Sequence, residues 1–184
     1  SRLMNDEIVY RWDGPPSIEL RRRQVVLPSG LSYPAHWLVT GDGRPGVVVC
    51  ALCDGALLLA GSRRPAVGRD GGELPRGVSE SCDWPAVADA LRELREETGY
   101  LGHSPKSEGE YVTDSSVLPT KVAVISCRVA STASLEDTDG EVNQVRWVPL
   151  SDIAGLIADG TIADAHSRAA LTYLVSLWAL GTAS

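Results

Sequence analysis

Three carboxylates recur at close spacing in the segment RELREETG, Arg92 to Gly99. On a helix, Glu93, Glu96 and Glu97 lie at i, i+3 and i+4 and share one stripe, with Arg92 one turn before Glu96. Like charges this close repel one another unless a cation intervenes. A hard divalent ion, Mg²⁺ or Mn²⁺, suits a site built from oxygen donors alone. A solvated acidic face, with Glu96 paired to Arg92 for a few tenths of a kcal/mol, accounts for the same residues, and the helix by itself favours neither reading. The preceding segment ELPRG adds a second feature. It ends on Gly77 in a tight loop, where a main-chain carbonyl can join the carboxylates as a ligand.

The rest of the chain must hold these groups in place. Its 184 residues are enough for one domain, or one domain with a small extension, and enough to bury a core without covalent staples. Fibrous and disulfide-framework proteins are thereby excluded. With 17 Lys and Arg against 24 Asp and Glu the net charge is −7, so nothing draws the chain generally to nucleic acid or to anionic lipid. Neither is expected as a partner, and any anion it handles needs a local basic patch or a metal. No apolar run approaches the roughly 20 residues that span a bilayer, and the first residues lack a signal-peptide pattern, so a cytoplasmic location is expected. Cys50 and Cys53 form a CxxC inside an apolar strand with a turn, without a second Cys or His pair nearby. They read as core thiols and not as a zinc or redox motif.

Turn residues divide the chain into a β-rich stretch over 1–45 and a main body over 46–184. The first holds extended segments at Ile18 to Leu27 and His36 to Thr40. In the second, Val47 to Leu52 and Ala56 to Ala60 flank Asp54-Gly55, a strong hairpin signal. Residues 63–77 read as mostly loop. Trp84 to Thr98 reads as a helix capped by Asp83 and stopped by Gly99, with Val87, Leu91 and Leu94 on its apolar face. Val122 to Val129 and Glu141 to Val148 read as strands, and Ser151 to Ala158 and Asp164 to Leu180 as helices. The last presents Ala169, Tyr173 and Leu177 to the sheet. This order predicts an α/β fold, an α/β/α sandwich on a mixed sheet with a small N-terminal β extension.

At this point the sequence resembles the Nudix hydrolases, whose box reads Gly, five residues, Glu, seven residues, then Arg-Glu-hydrophobic-any-Glu-Glu-any-Gly-hydrophobic. Gly77 matches the first position, and Arg92, Glu93, Leu94, Glu96, Glu97, Gly99 and Tyr100 match the second half in order. Gly77 to Arg92 is one residue longer than the pattern, so the isolated Glu of the box falls on Asp83 or Trp84. Asp83 is the carboxylate expected to substitute for it, with altered loop geometry. The resemblance implies a Nudix fold and a Mg²⁺-dependent enzyme, with Mn²⁺ as a substitute. Its metal ligands would be Glu93, Glu96, Glu97 and the Arg76 carbonyl, and Arg92 would orient Glu93 or Glu96.

Within that family, Arg63-Arg64-Pro65-Ala66-Val67-Gly68 with Glu73-Leu74-Pro75, and the ending VRWVPLSDI with ADGTIADAHSRAAL, are similar to ADP-ribose pyrophosphatases. This likeness implies substrate binding by Arg64, with Arg63 and Glu73 beside it, because an Arg there can grip phosphate oxygens bidentately. It also implies an N-terminal β region swapped between the subunits of a homodimer, where Trp12 or Trp37 would stack on a base. The water-activating acid would be Glu141, with Asp139 as its near neighbour and Glu136 as the fallback. The three histidines, His36, His103 and His166, are given no role. The expected reaction is cleavage of ADP-ribose to AMP and ribose 5-phosphate. The alternatives are another Nudix substrate, such as a nucleotide sugar, a dinucleotide or a nucleoside triphosphate, or a non-catalytic module that binds a nucleotide.

Overall fold

The hairpin at Asp54-Gly55 forms as expected. Asp54 (φ 44°) and Gly55 (φ 77°) both take the left-handed conformation that a two-residue hairpin turn demands, and β4 (Gly46–Cys53) pairs antiparallel with β5 (Ala56–Arg64) across them. These coordinates are a computed structural model, which describes residues 6–81, 83–132 and 142–179.

Every residue of β4 is buried, the mark of a strand covered on both faces. It sits between β5 and β9 (Leu118–Val129), and its pairing with β9 is parallel. β10 (Val142–Pro149) extends the sheet beyond β5, and β8 (Gly102–Asp114) closes the other edge beside β9, both antiparallel. The sheet is therefore mixed. Because side chains alternate along a strand, Val47, Val49 and Ala51 face one side and Val48, Cys50 and Leu52 the other. The first set packs with Ala90 and Leu94 of α1 (Ala86–Thr98). The second packs with Ile153 of α2 (Ile153–Ala158) and with Ala170, Leu171 and Leu174 of α3 (Ala165–Ala179). This is the expected α/β/α sandwich. The same alternation separates Cys50 and Cys53, three residues apart, onto opposite faces, and Cys50, Cys53 and Cys127 are buried free thiols.

Ahead of the main sheet, β1 (Glu7–Trp12), β2 (Ile18–Val26) and β3 (Ser32–Thr40) form an antiparallel sheet of their own. The Leu38 amide ties it to the main sheet by donating to the Val117 carbonyl at 2.7 Å. No helix among the described residues is long and apolar enough to cross a membrane.

Four local expectations are corrected. Residues 63–77 are not mostly loop, since β6 (Arg69–Glu73) pairs with β5 and β7 (Arg76–Val78) with β4. Glycines and charged residues hide these strands, which are paired by backbone and not by an apolar pattern. The α1 helix starts at Ala86, with Pro85 at its N-cap and no side-chain cap bond, and Asp83 is exposed. On α1 Leu94 is buried with Leu91 packed beside it as expected, but Val87 is exposed and Ala90 takes its place, while on α3 Tyr173 packs against the sheet as expected, beside the buried Ala170, Leu171 and Leu174. The strand β8 was not expected at all. At its C-terminal end α1 stops as expected, with Gly99 in the left-handed region (φ 74°) and its amide bonded to the Arg95 carbonyl.

Candidate active site

The carboxylate stripe on α1 lies against the segment Arg76 to Val78. Glu97 is buried, and its Oε2 accepts the Arg76 amide proton at 3.1 Å. Glu93 folds over Gly77 so closely that a Cβ added there would fall 1.9 Å from its carboxyl carbon. The position therefore has to be glycine for Glu93 to keep this conformation. Burial pushes the Glu93 carboxyl above its ordinary range, opposed by the Arg92 guanidinium.

Arg92 pairs with both Glu93 and Glu96 of the stripe. It reaches Glu93 Oε1 at 2.8 Å and Glu96 Oε2 at 2.7 Å, and donates a further bond to the Val78 carbonyl at 3.2 Å. A planar guanidinium with several fixed donors can do this where an ammonium could not. Among the described residues no three His, Cys, Asp or Glu side chains converge on one point. Arg92 pairs with Glu93 and Glu96, and Glu97 accepts the Arg76 amide.

Whether these groups fit a divalent ion turns on their chemistry. Glu97 meets the Arg76 amide and Glu93 lies over Gly77, so along the chain the Arg76 carbonyl falls between two carboxylates, and carboxylate with carbonyl oxygens is a donor set that a hard cation takes. A cation would also relieve the burial that disfavours ionised Glu93. The residues fit.

Beside this stripe lies a cavity of about 620 Å³, lined by Arg64, Glu73, Arg76, Arg146 and Asp164, with small residues such as Gly72 between them. Arg64, expected to bind phosphate, grips Glu73 Oε2 with Nε at 3.0 Å and Nη2 at 2.8 Å. That hydrogen bond holds the Arg64 guanidinium in its charged form, its pKa above the ordinary value. Arg76 joins the same carboxylate at 3.3 Å and Asp164 at 3.4 Å, while its Nε is buried without a hydrogen-bond partner. Since the Arg76 amide touches Glu97, the cavity and the stripe share the Glu73 to Gly77 segment.

Residues of the α3 N-terminus, which the sequence did not single out, support that segment from behind. Asp164 accepts the Ser167 amide at 2.8 Å and its hydroxyl at 2.9 Å, and Ser167 Oγ accepts the Leu74 amide at 2.9 Å. The signal was present as Asp-x-x-Ser before a helical run. His166, given no role, lies 2.7 Å from the Tyr111 hydroxyl, and burial together with Arg76 pushes its pKa down.

The candidate acids Glu136, Asp139 and Glu141 lie outside the described residues, as does the side chain of Arg63. Val142, which follows them, pairs with Ser62, two residues from Arg64. Trp12 is 48% exposed on β1, and Trp37 lies under the Arg23 guanidinium at 5.5 Å. The cavity is lined by no residue of the N-terminal sheet.

Comparison with curated protein sequences gives no match. Among solved structures, the fold is similar to the crystal structure of an ADP compounds hydrolase, with a TM-score of 0.78 over 97% of this chain and 94% of that one, at 19% identity. A family model of the NUDIX domain matches residues 43–171, a span that includes the carboxylate helix, the Arg76-Gly77 peptide it faces and the cavity beside them. The chain therefore belongs to the Nudix family of pyrophosphohydrolases.

Proposed function

We propose that this protein is a Mg²⁺-dependent hydrolase of nucleoside diphosphate derivatives, with ADP-ribose as the substrate and AMP and ribose 5-phosphate as the products. The observation that carries this reading is the placement of Glu97 on the Arg76 amide and of Glu93 over Gly77, with Arg92 restraining the stripe. Glu93, Glu96, Glu97 and the Arg76 carbonyl would hold the ion. Its chemistry there is to offset diphosphate charge as the bridging P–O bond breaks.

Around it, this chain's own residues bind and orient. Arg64 is held by Glu73 at the cavity wall with its charge fixed, which suits it to phosphate oxygens. Arg63 stands beside it in sequence. Glu141, with Asp139 as neighbour, takes the proton from the attacking water in this reading, and the leaving phosphate departs with the sugar. The ADP compounds hydrolase of similar fold supports the choice of an ADP derivative. A homodimer completes the reading. Ile8, Val9, Tyr10 and Trp12 are all exposed on β1, and Trp12 is the base-stacking residue proposed across such an interface.

The test is release of AMP from ADP-ribose with Mg²⁺, beside ADP-glucose, diadenosine polyphosphates, NADH and dGTP, with Glu97→Gln as the control. ADP-ribose should be preferred, and the variant should lose more than the roughly 10–100-fold that removal of an outer-sphere partner costs. Preference for another of these compounds would replace the substrate. Binding of a nucleotide without turnover would replace the enzyme by a binding module.

A further inference from the structure

The first turn of α1 carries a carboxylate that the chemistry above leaves unused. Asp89 is 4% exposed, and a buried carboxylate is kept only where partners compensate its lost hydration. One partner is Ser79, whose hydroxyl lies 2.5 Å from Asp89 Oδ2 and 2.8 Å from the Ser81 carbonyl, so the two acceptors share its single proton. Ser79 belongs to the stretch that leaves Gly77, and its amide fixes that stretch to the Pro45 carbonyl at 2.8 Å. The other partner is Arg92, one helical turn on, whose Nη2 lies 3.7 Å from Asp89 Oδ1. The same Nη2 reaches Glu93 at 2.8 Å and the Val78 carbonyl at 3.2 Å.

Asp89 is thus joined to both halves of the site, to the Gly77 to Ser81 stretch through Ser79 and to the carboxylate stripe through Arg92. The two loop positions that the box pattern would give an acid do not make these contacts. Asp83 is exposed, with its amide bonded to Ser81 Oγ, and Trp84 has no carboxylate and packs on the apolar cluster under α1. We infer that Asp89 is the positioning residue of this site: it is the buried carboxylate that faces Arg92, whereas Glu80 of the lengthened loop meets Arg92 Nε at 3.8 Å from an exposed position, and it sets Arg92, and through Arg92 the Glu93 carboxyl. This rests on the metal-site reading proposed above.

The experiment measures Mn²⁺ affinity by electron paramagnetic resonance, kcat and KM for ADP-ribose, and the metal-free Tm, for wild type, Asp89→Ala and Asp89→Asn. Asn keeps the volume and an acceptor for Ser79 but removes the charge that faces Arg92. Asp89→Ala should raise the Mn²⁺ dissociation constant and lower kcat by about tenfold or more each, with KM nearly unchanged. Asp89→Asn should move both in the same direction by less. Adding Ser79→Ala to Asp89→Ala should change little further, because the two act as one unit.

A lowered Tm with Mn²⁺ affinity and kcat unchanged in both variants would overturn the inference and leave Asp89 a packing residue. If Asp89→Ala does not fold, Asp89→Asn decides. Should wild type cleave none of the substrates, the proposed function fails, while Mn²⁺ affinity still decides the role of Asp89. If wild type and Glu97→Gln bind Mn²⁺ equally weakly, both readings fail together.

Discussion

Replacing Gly77 by alanine would put a methyl group into space that the Glu93 carboxyl already fills. The added carbon would lie 1.9 Å from Cδ and 2.1 and 2.2 Å from the two oxygens. Non-bonded carbons settle at about 3.5–4 Å, so the carboxyl must retreat by roughly 1.5–2 Å. The obstacle is the far end of a flexible side chain, and Glu93 can turn aside without moving the backbone. An off-rotamer side chain costs about 0.5–1.5 kcal/mol, and the Arg92 pair adds at most about 1 kcal/mol because it is partly exposed to solvent. A loss near 2 kcal/mol lowers Tm by about 4–8 °C in a chain of this size. The effect on chemistry should be far larger, since a displacement of about 1 Å at a reacting centre costs on the order of 100-fold. Gly55→Ala is the matched control. Gly55 has φ 77° with open space around it, so alanine there costs about 1–2 kcal/mol of left-handed strain at the turn of the β4–β5 hairpin. Thermal melts and kcat on ADP-ribose should show similar Tm losses for the two variants and a large kcat loss for Gly77→Ala alone. Wild-type kcat in Gly77→Ala, or equal kcat losses in both, would refute the reasoning.

Glu73→Gln removes the buried charge that Arg64 and Arg76 share. Breaking a buried pair costs about 3–5 kcal/mol, but Arg64 is 35% exposed and water screens part of this. A loss of about 2–3 kcal/mol in urea unfolding is expected, and a loss under half of that would mean the pair is solvated. The His166 pKa is pushed below its ordinary 6.5 by burial and by Arg76, so as pH falls the unfolded chain takes up a proton before the folded one does. The stability His166 contributes is complete above pH 6.5 and is lost as pH falls from there toward the folded value. Tm measured from pH 7.5 down to pH 5 should therefore drop less steeply in His166→Gln, and an unchanged slope would contradict the assignment.

The parts of this protein that were legible in sequence are those where one local rule acts alone. Asp54-Gly55 demands two left-handed residues and makes its hairpin without help from the rest of the fold. Gly99 ends α1 for a similar reason. Glu93, Glu96 and Glu97 share a stripe because helix geometry requires it, and Arg92 lies within reach of two of them. What was illegible depends on tertiary context. β8 reads HSPKSEGEY because it lies at the sheet edge with much of its length exposed, so neither apolar alternation nor a continuous run marks it. β6 and β7 are strands because β5 and β4 offer them backbone partners. Asp89 looks like one more surface acid on a charged helix, and only the fold shows that Ser79 and Arg92 close over it. Ser167 is a polar residue on α3 that only the fold shows to be buried, because its Oγ accepts the Leu74 amide.

That last bond bears on how the site is built. The segment Glu73 to Gly77 crosses between the two faces of the sandwich, and each face contributes a hold on it. From the α3 side Ser167 accepts the Leu74 amide and Asp164 meets the Arg76 guanidinium, while from the α1 side Glu97 accepts the Arg76 amide. The Pro75 carbonyl between them accepts the Val49 amide of the central strand at 2.8 Å. A main-chain group can serve as a ligand only where its peptide is fixed, since a loop free to turn would lose the entropy of ordering each time an ion bound. Fixing the Pro75-Arg76 peptide, the one that leads directly into the Arg76 carbonyl, from the α1 layer and from the central strand sets much of that cost at folding. It also explains why a stretch that looks like loop in the sequence is held by bonds from both helix layers and from the central strand.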